Sequence, residues 1–154
     1  MITRRTLAAV TITALLLAGA AAFARSTPAA TTTSVARVSV TVGKSSFGPI
    51  LFDGRGYALY AFTSDGRNRA TCYSACAKAW PPFIVKGRPA AVKGTKAALV
   101  AVTRRADGRL QATYAGRPLY YYVGDTEPGI VLCQNVKEYG GLWLVVRGGG
   151  KLVR

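Results

Sequence analysis

Hydrophobic and polar positions alternate in short runs along most of the chain. Val38-Ser-Val-Thr-Val42 alternates strictly, and Ile50-Leu-Phe52 runs through Asp53-Gly-Arg-Gly56 into Tyr57-Ala-Leu-Tyr-Ala-Phe62. Further on come Ala98–Thr103, Leu110–Tyr114, Pro118–Val123 and Leu142–Val146, parted by Asp107-Gly108 and Ala115-Gly116. Period-two runs of four to eight residues between Gly and Asp turn signals predict strands, and strands this closely spaced predict an all-β, antiparallel domain. One short helix is expected around Tyr73–Ala79, stopped by Pro81-Pro82.

The first 36 residues break this pattern. Arg4 and Arg5 precede an apolar stretch from Leu7 to Ala22, and Ala22-Phe23-Ala24 is a small-x-small cleavage site, which predicts a signal peptide over residues 1–24. The alternative is an uncleaved anchor, since the stretch approaches the ~17–25 residues that span a bilayer. Leu15-Leu16-Leu17-Ala18-Gly19-Ala20 has the form of a bacterial lipobox with Ala20 where the lipidated cysteine would stand, so no lipid anchor is expected. Residues 25–36 are small and polar, too poor in apolar surface to offset ordering entropy, and predict a flexible linker. Residues 37–154 then form one domain.

That domain is internally repeated. Gly56-x-x-Leu59-Tyr60-x-Phe62-x-x-Asp65 matches Gly116-x-x-Leu119-Tyr120-x-Tyr122-x-x-Asp125 at an offset of 60. Trp80-Pro-Pro-Phe matches Trp143-Leu-Val-Val after a slip of three, giving two units over about 45–85 and 105–147. On a strand, Tyr60 and Phe62 share one face and Leu59 and Ala61 the other, as do Tyr120 and Tyr122 against Leu119 and Tyr121. Each aspartate falls at a strand end, placed to accept from turn amides or a tyrosine hydroxyl. Aromatic pairs across strands contribute roughly 0.2–1 kcal/mol each, so the motif has a structural reading that needs no ligand. The functional alternative is an exposed strip of Tyr120, Tyr121 and Tyr122 that stacks on a sugar or planar ligand. Tyr121 is the residue that sets this copy apart, because its counterpart is Ala61.

At Tyr60-Ala-Phe62-Thr-Ser-Asp65 and Tyr120-Tyr-Tyr122-Val-Gly-Asp125, with Cys72-x-x-x-Cys76-x-x-x-Trp80-Pro-Pro82 and Gly140-Gly-Leu-Trp143, the chain resembles a bacterial secreted or lipoprotein repeat family marked by Y-x-(F/W/Y)-x-x-D. The resemblance implies an exported, envelope-associated β domain, in a family without an established biochemical role. The missing lipobox cysteine is the departure.

Charge narrows the partners. The sequence has 21 Lys and Arg against 6 Asp and Glu, and removing Arg4 and Arg5 leaves +13. A field of that sign attracts anionic envelope polymer or a membrane surface, and an envelope protein with an acidic face is a further candidate. The basic residues are scattered and no nucleic-acid module accompanies them, so no nucleic acid is expected.

The chain has no histidine, which removes Ser-His and Cys-His nucleophile pairs and every His-ligated metal site. Asp53, Asp65 and Asp107 each precede glycine, which is turn chemistry and not an acid/base pair. No enzyme, cofactor or metal is expected. Three cysteines in an exported chain imply one disulfide and one thiol over. Cys72 and Cys76 close only if their segment is irregular, because Cβ atoms four apart on a helix stand about 5–6 Å apart and a bridge wants roughly 3.5–4.5 Å. A bridge from Cys133 to Cys72 or Cys76 is the favoured arrangement, since Cys133 lies close to the repeat position of Cys72. The functional expectation is a non-catalytic binding or structural module with a basic surface. Its alternative is a redox or Cu(I)-handling accessory built on Cys72-x-x-x-Cys76 thiolates, which are soft ligands.

Overall fold

The computed structural model describes residues 38–154. The signal peptide and linker expected through residue 36 lie outside the described residues. The strands are β1 (Ser39–Gly43), β2 (Ile50–Asp53), β3 (Tyr60–Phe62), β4 (Ile84–Val85), β5 (Ala90–Ala91), β6 (Val100–Arg104), β7 (Leu110–Tyr114), β8 (Arg117–Pro118), β9 (Val136–Glu138) and β10 (Gly141–Val145), with one helix, α1 (Ser74–Ala79). The fold is all-β and built from short antiparallel strands, as the alternation predicts.

Three small sheets have the orders β2-β1-β5, β3-β10-β9 and β4-β7-β6, with β8 joined to β7. The β6–β7 hairpin turns at Asp107-Gly108, where Gly108 takes φ +81°, a left-handed conformation that glycine enters without a steric penalty. The one parallel ladder among these strands is β1 with β5, in register Ser39↔Ala90 and Val40↔Ala91. It departs from the purely antiparallel expectation because β5 returns to β1 after the long excursion through α1 and β4.

Two apolar runs are longer than the strands they form. Residues 57–62 begin on β2, where Ala58 bridges Phe52, and end on β10, where Phe62 faces Trp143. Residues 117–122 begin on β7 and then bridge to Tyr60 and Pro82 through Tyr120. Each motif run thus changes partner midway and stitches one sheet to the next.

The alternation within these runs divides the core. Tyr60, Phe62 and Tyr120 bury with Trp80 and Trp143 in one cluster, and Tyr122 packs against it. Leu59, Ala61 and Leu119 bury with Leu51, Val100 and Tyr114 in the other, and Tyr121 packs against that.

Candidate functional site

The two motif copies meet at Tyr60 and Tyr120, whose backbones exchange N–H···O bonds of 2.9 Å in both directions. Antiparallel strands that cross at equivalent residues are related by a local two-fold, so each side chain points toward the other copy's turn. Tyr60 donates its hydroxyl to Asp125 Oδ2 at 2.6 Å, and Tyr120 donates to Asp65 Oδ2 at 2.8 Å. The aspartates are completed by their own turns. Asp65 Oδ1 accepts from the amide and hydroxyl of Thr71 at 2.7 and 2.8 Å, and Asp125 Oδ1 accepts from the Leu132 amide at 3.0 Å. The repeats are therefore interlocked: the tyrosine of each is satisfied by the aspartate of the other.

The rings repeat the exchange. Phe62 stacks on Trp143 with centroids 4.3 Å apart, Trp143 on Trp80 at 4.0 Å, and Trp80 meets Tyr122 at 4.7 Å, so each motif's second aromatic lies on the other copy's tryptophan. Tyr60 and Tyr120 stand edge-on to Trp80 and Trp143, each at 5.2 Å. Edge-to-face and offset stacks of this kind are worth about 0.5–1.5 kcal/mol per pair beyond the area they bury.

Burial governs the protonation of this centre. It is the leading cause that lifts both Asp65 and Asp125 above the usual carboxylate range, with the hydrogen bonds to each pulling the other way. Burial, with the facing carboxylates, also holds Tyr60, Tyr120 and Tyr121 far above the ordinary phenol value.

An exposed strip of three tyrosines does not form. Tyr120 is fully buried, and Tyr121 and Tyr122 point to opposite sides of the strand and are half-buried. Tyr121 turns to Asp53, donating to Oδ2 at 3.0 Å. Asp53 also accepts from the amides of Arg55 and Tyr57 and from Arg55 Nε, at 2.9–3.0 Å. The offset of 60 pairs Tyr121 with Ala61 and Asp53 with Thr113. Thr113 Oγ1 is buried without a hydrogen-bond partner. The Tyr121–Asp53 pair is a feature of one repeat alone.

Beside it lies a groove of about 770 Å³ lined by Val38, Ser39, Asp53, Arg55, Pro82, Phe83, Ile84 and Tyr121 among others. Sequence reasoning named Tyr121 but missed Arg55 and the prolines. The signal was present in Pro81-Pro82, which stand where the other repeat has Leu144-Val145. Prolines lack the amide that a further strand would need on that edge.

The disulfide joins Cys72 to Cys76, with Cα atoms 5.3 Å apart, and Cys133 is a free, half-buried thiol that burial pushes above its usual pKa. This corrects the bridge expected from Cys133. α1 begins only at Ser74, which takes φ +49° after an extended Tyr73, so Cys72 lies ahead of the first turn and the chain folds back to Cys76. Repeat equivalence also misled. Cys72 follows Thr71, which bonds Asp65, whereas Cys133 follows Leu132, which bonds Asp125, so the two cysteines hold matching places in different repeats. The short loop contributes about 2 kcal/mol in the chain-entropy treatment, against roughly 4 for a sixty-residue loop. With Cys72 and Cys76 bonded to each other, neither is a thiolate ligand for Cu(I). Arg105, the buried arginine, ties this loop to the second repeat by donating to the Cys72 carbonyl at 2.7 Å and to Gln111 Oε1 at 2.6 Å, over the ring of Tyr73.

No curated protein and no solved structure matches this chain. A family described as a secreted repeat of unknown function matches it twice, over residues 41–84 and 101–147, and each match contains one Tyr–Asp motif and ends at or beyond its tryptophan. By these two copies, which cover more than half of its length, the chain belongs to that family of secreted repeats.

Proposed function

We propose that this exported domain is a non-catalytic binding module that holds anionic envelope polymer through its basic exterior. The observation that carries the reading is the separation of charge between surface and core. Every Lys and Arg among the described residues except Arg105 is exposed. Of the six carboxylates only Asp107, Glu127 and Glu138 are exposed, because Asp53, Asp65 and Asp125 are withdrawn onto tyrosine hydroxyls. A surface that hides half of its own acids presents a nearly unopposed positive field, which concentrates polyanions. The non-catalytic part rests on the same contacts: each oxygen of Asp65 and Asp125 already accepts from a structural donor, which commits both carboxylates to holding the repeats together.

The test is retention of the exported chain on isolated cell wall. Binding is expected at about 0.01 M salt, where the screening length is ~30 Å, and release by about 1 M, where it is ~3 Å. No retention at low salt, or retention indifferent to 1 M salt, overturns the reading.

A further inference from the structure

We infer that the groove beside Tyr121 is a binding site for a singly charged amphiphilic anion, a carboxylate or phosphate carried on an apolar chain. The groove is a place where the two repeats differ in chemistry. Tyr121, Asp53 and Arg55 line it where the offset of 60 puts Ala61, Thr113 and Ala115, and Pro81-Pro82 replace the strand residues Leu144-Val145. The interlock is common to both repeats, so these departures are not required by it.

The wall chemistry selects the ligand. Val38, Pro81, Pro82, Phe83, Ile84 and the ring of Tyr121 supply an apolar floor and sides. Both oxygens of Asp53 are occupied by Arg55, Tyr57 and Tyr121 and offer nothing to a guest. Arg55 is different. Its Nε is fixed by Asp53 at 2.9 Å, its guanidinium lies 5.0 Å from the ring centre of Tyr57 and 5.8 Å from that of Tyr121, and its side chain is 70% exposed. The two terminal amino groups are thus left as a fork held on the groove's lining, the geometry that takes a carboxylate or phosphate by two parallel bonds. A polysaccharide would bring many hydroxyls onto a mostly apolar floor and leave them unpaired, whereas an acyl chain gains by burial there. The volume lies within the ~300–1,000 Å³ of small-ligand sites.

The shared chemistry has two sources, a free single-chain amphiphile or an anionic bilayer lipid. Calorimetric titration of the exported chain with dodecanoate and dodecyl phosphate below their micellar concentrations, and with uncharged dodecyl maltoside, tests the site; co-sedimentation with phosphatidylglycerol vesicles separates the sources. Dodecanoate is expected to bind one to one and about tenfold more tightly than the maltoside, with Arg55→Gln removing that advantage. Val38→Asp, at an exposed wall position, is expected to weaken both ligands. Vesicle binding that dodecanoate displaces identifies a bilayer lipid, and dodecanoate binding without vesicle binding identifies a free amphiphile. Absence of binding overturns the inference, and so does binding at several equivalent places that neither variant alters. Retention on cell wall reports the basic exterior independently, since Arg55 is one of many exposed cations there.

Discussion

Trp143→Ala is expected to destabilise the domain by about 3–5 kcal/mol, the range for removing a buried aromatic. Trp143 is fully buried and touches three aromatic neighbours, Phe62 and Trp80 by stacking and Tyr120 by its edge. It is the hinge of the ring column, because Phe62 comes from the first repeat and Tyr120 from the second. Domains are commonly stable by only about 5–15 kcal/mol, so this loss would remove a large share of the total. Denaturant titration reads the change as a lowered midpoint with an unchanged slope. A loss below about 1 kcal/mol would mean that the column collapses around the gap and does not hold the repeats together.

Alkaline unfolding is the second large effect. Tyr60, Tyr120 and Tyr121 keep their protons in the folded chain far above the ordinary phenol value of 10.0, with burial the leading cause in each. The unfolded chain releases those protons near pH 10. The stability that the three groups confer is therefore whole below pH 10 and is lost as pH rises above it. Ultraviolet titration of tyrosine is expected to show these three ionising together with a cooperative loss of near-ultraviolet circular dichroism. Reversible ionisation of every tyrosine near pH 10 with the fold intact would contradict it. At the acid end two influences oppose each other. Asp65 and Asp125 have raised values, so what they contribute is whole below the ordinary 3.8 and is lost as pH rises through their folded pKa. Asp107, held below the usual carboxylate range by Arg109, acts the other way: its contribution is lost as pH falls below the ordinary 3.8.

Much of the framework is legible in the sequence, because period-two alternation and Asp-Gly turns are local signals. Leu110–Tyr114 forms a strand with the bounds the alternation predicts, and Asp107-Gly108 makes the hairpin. The strands that escaped, β4, β5 and β9, are two or three residues long and carry too little pattern to register. The repeat is visible as an offset of 60, but an offset pairs Tyr60 with Tyr120 as equivalents and says nothing of which aspartate each reaches. That choice depends on how two copies associate, a long-range property without a local signature. The same limit explains the cysteines. Equivalence suggested proximity, while the irregular backbone at Tyr73 and Ser74 decided the bridge. Tyr121 was partly legible. Its contrast with Ala61 is in the sequence, and so is the contrast of Asp53 with Thr113, though only the structure brings Tyr121 and Asp53 together.

A pair of double-mutant cycles on stability tests the interlock most directly. Combining Tyr60→Phe with Asp125→Asn crosses the repeats, and combining Tyr60→Phe with Asp65→Asn stays within one. The crossed pair is predicted to couple by about 1 kcal/mol or more, as contacting partners of a charge-assisted hydrogen bond do, and the pair within one repeat to add to within about 0.5 kcal/mol. Coupling of Tyr60 to Asp65 with none to Asp125 would contradict the exchange of partners between repeats.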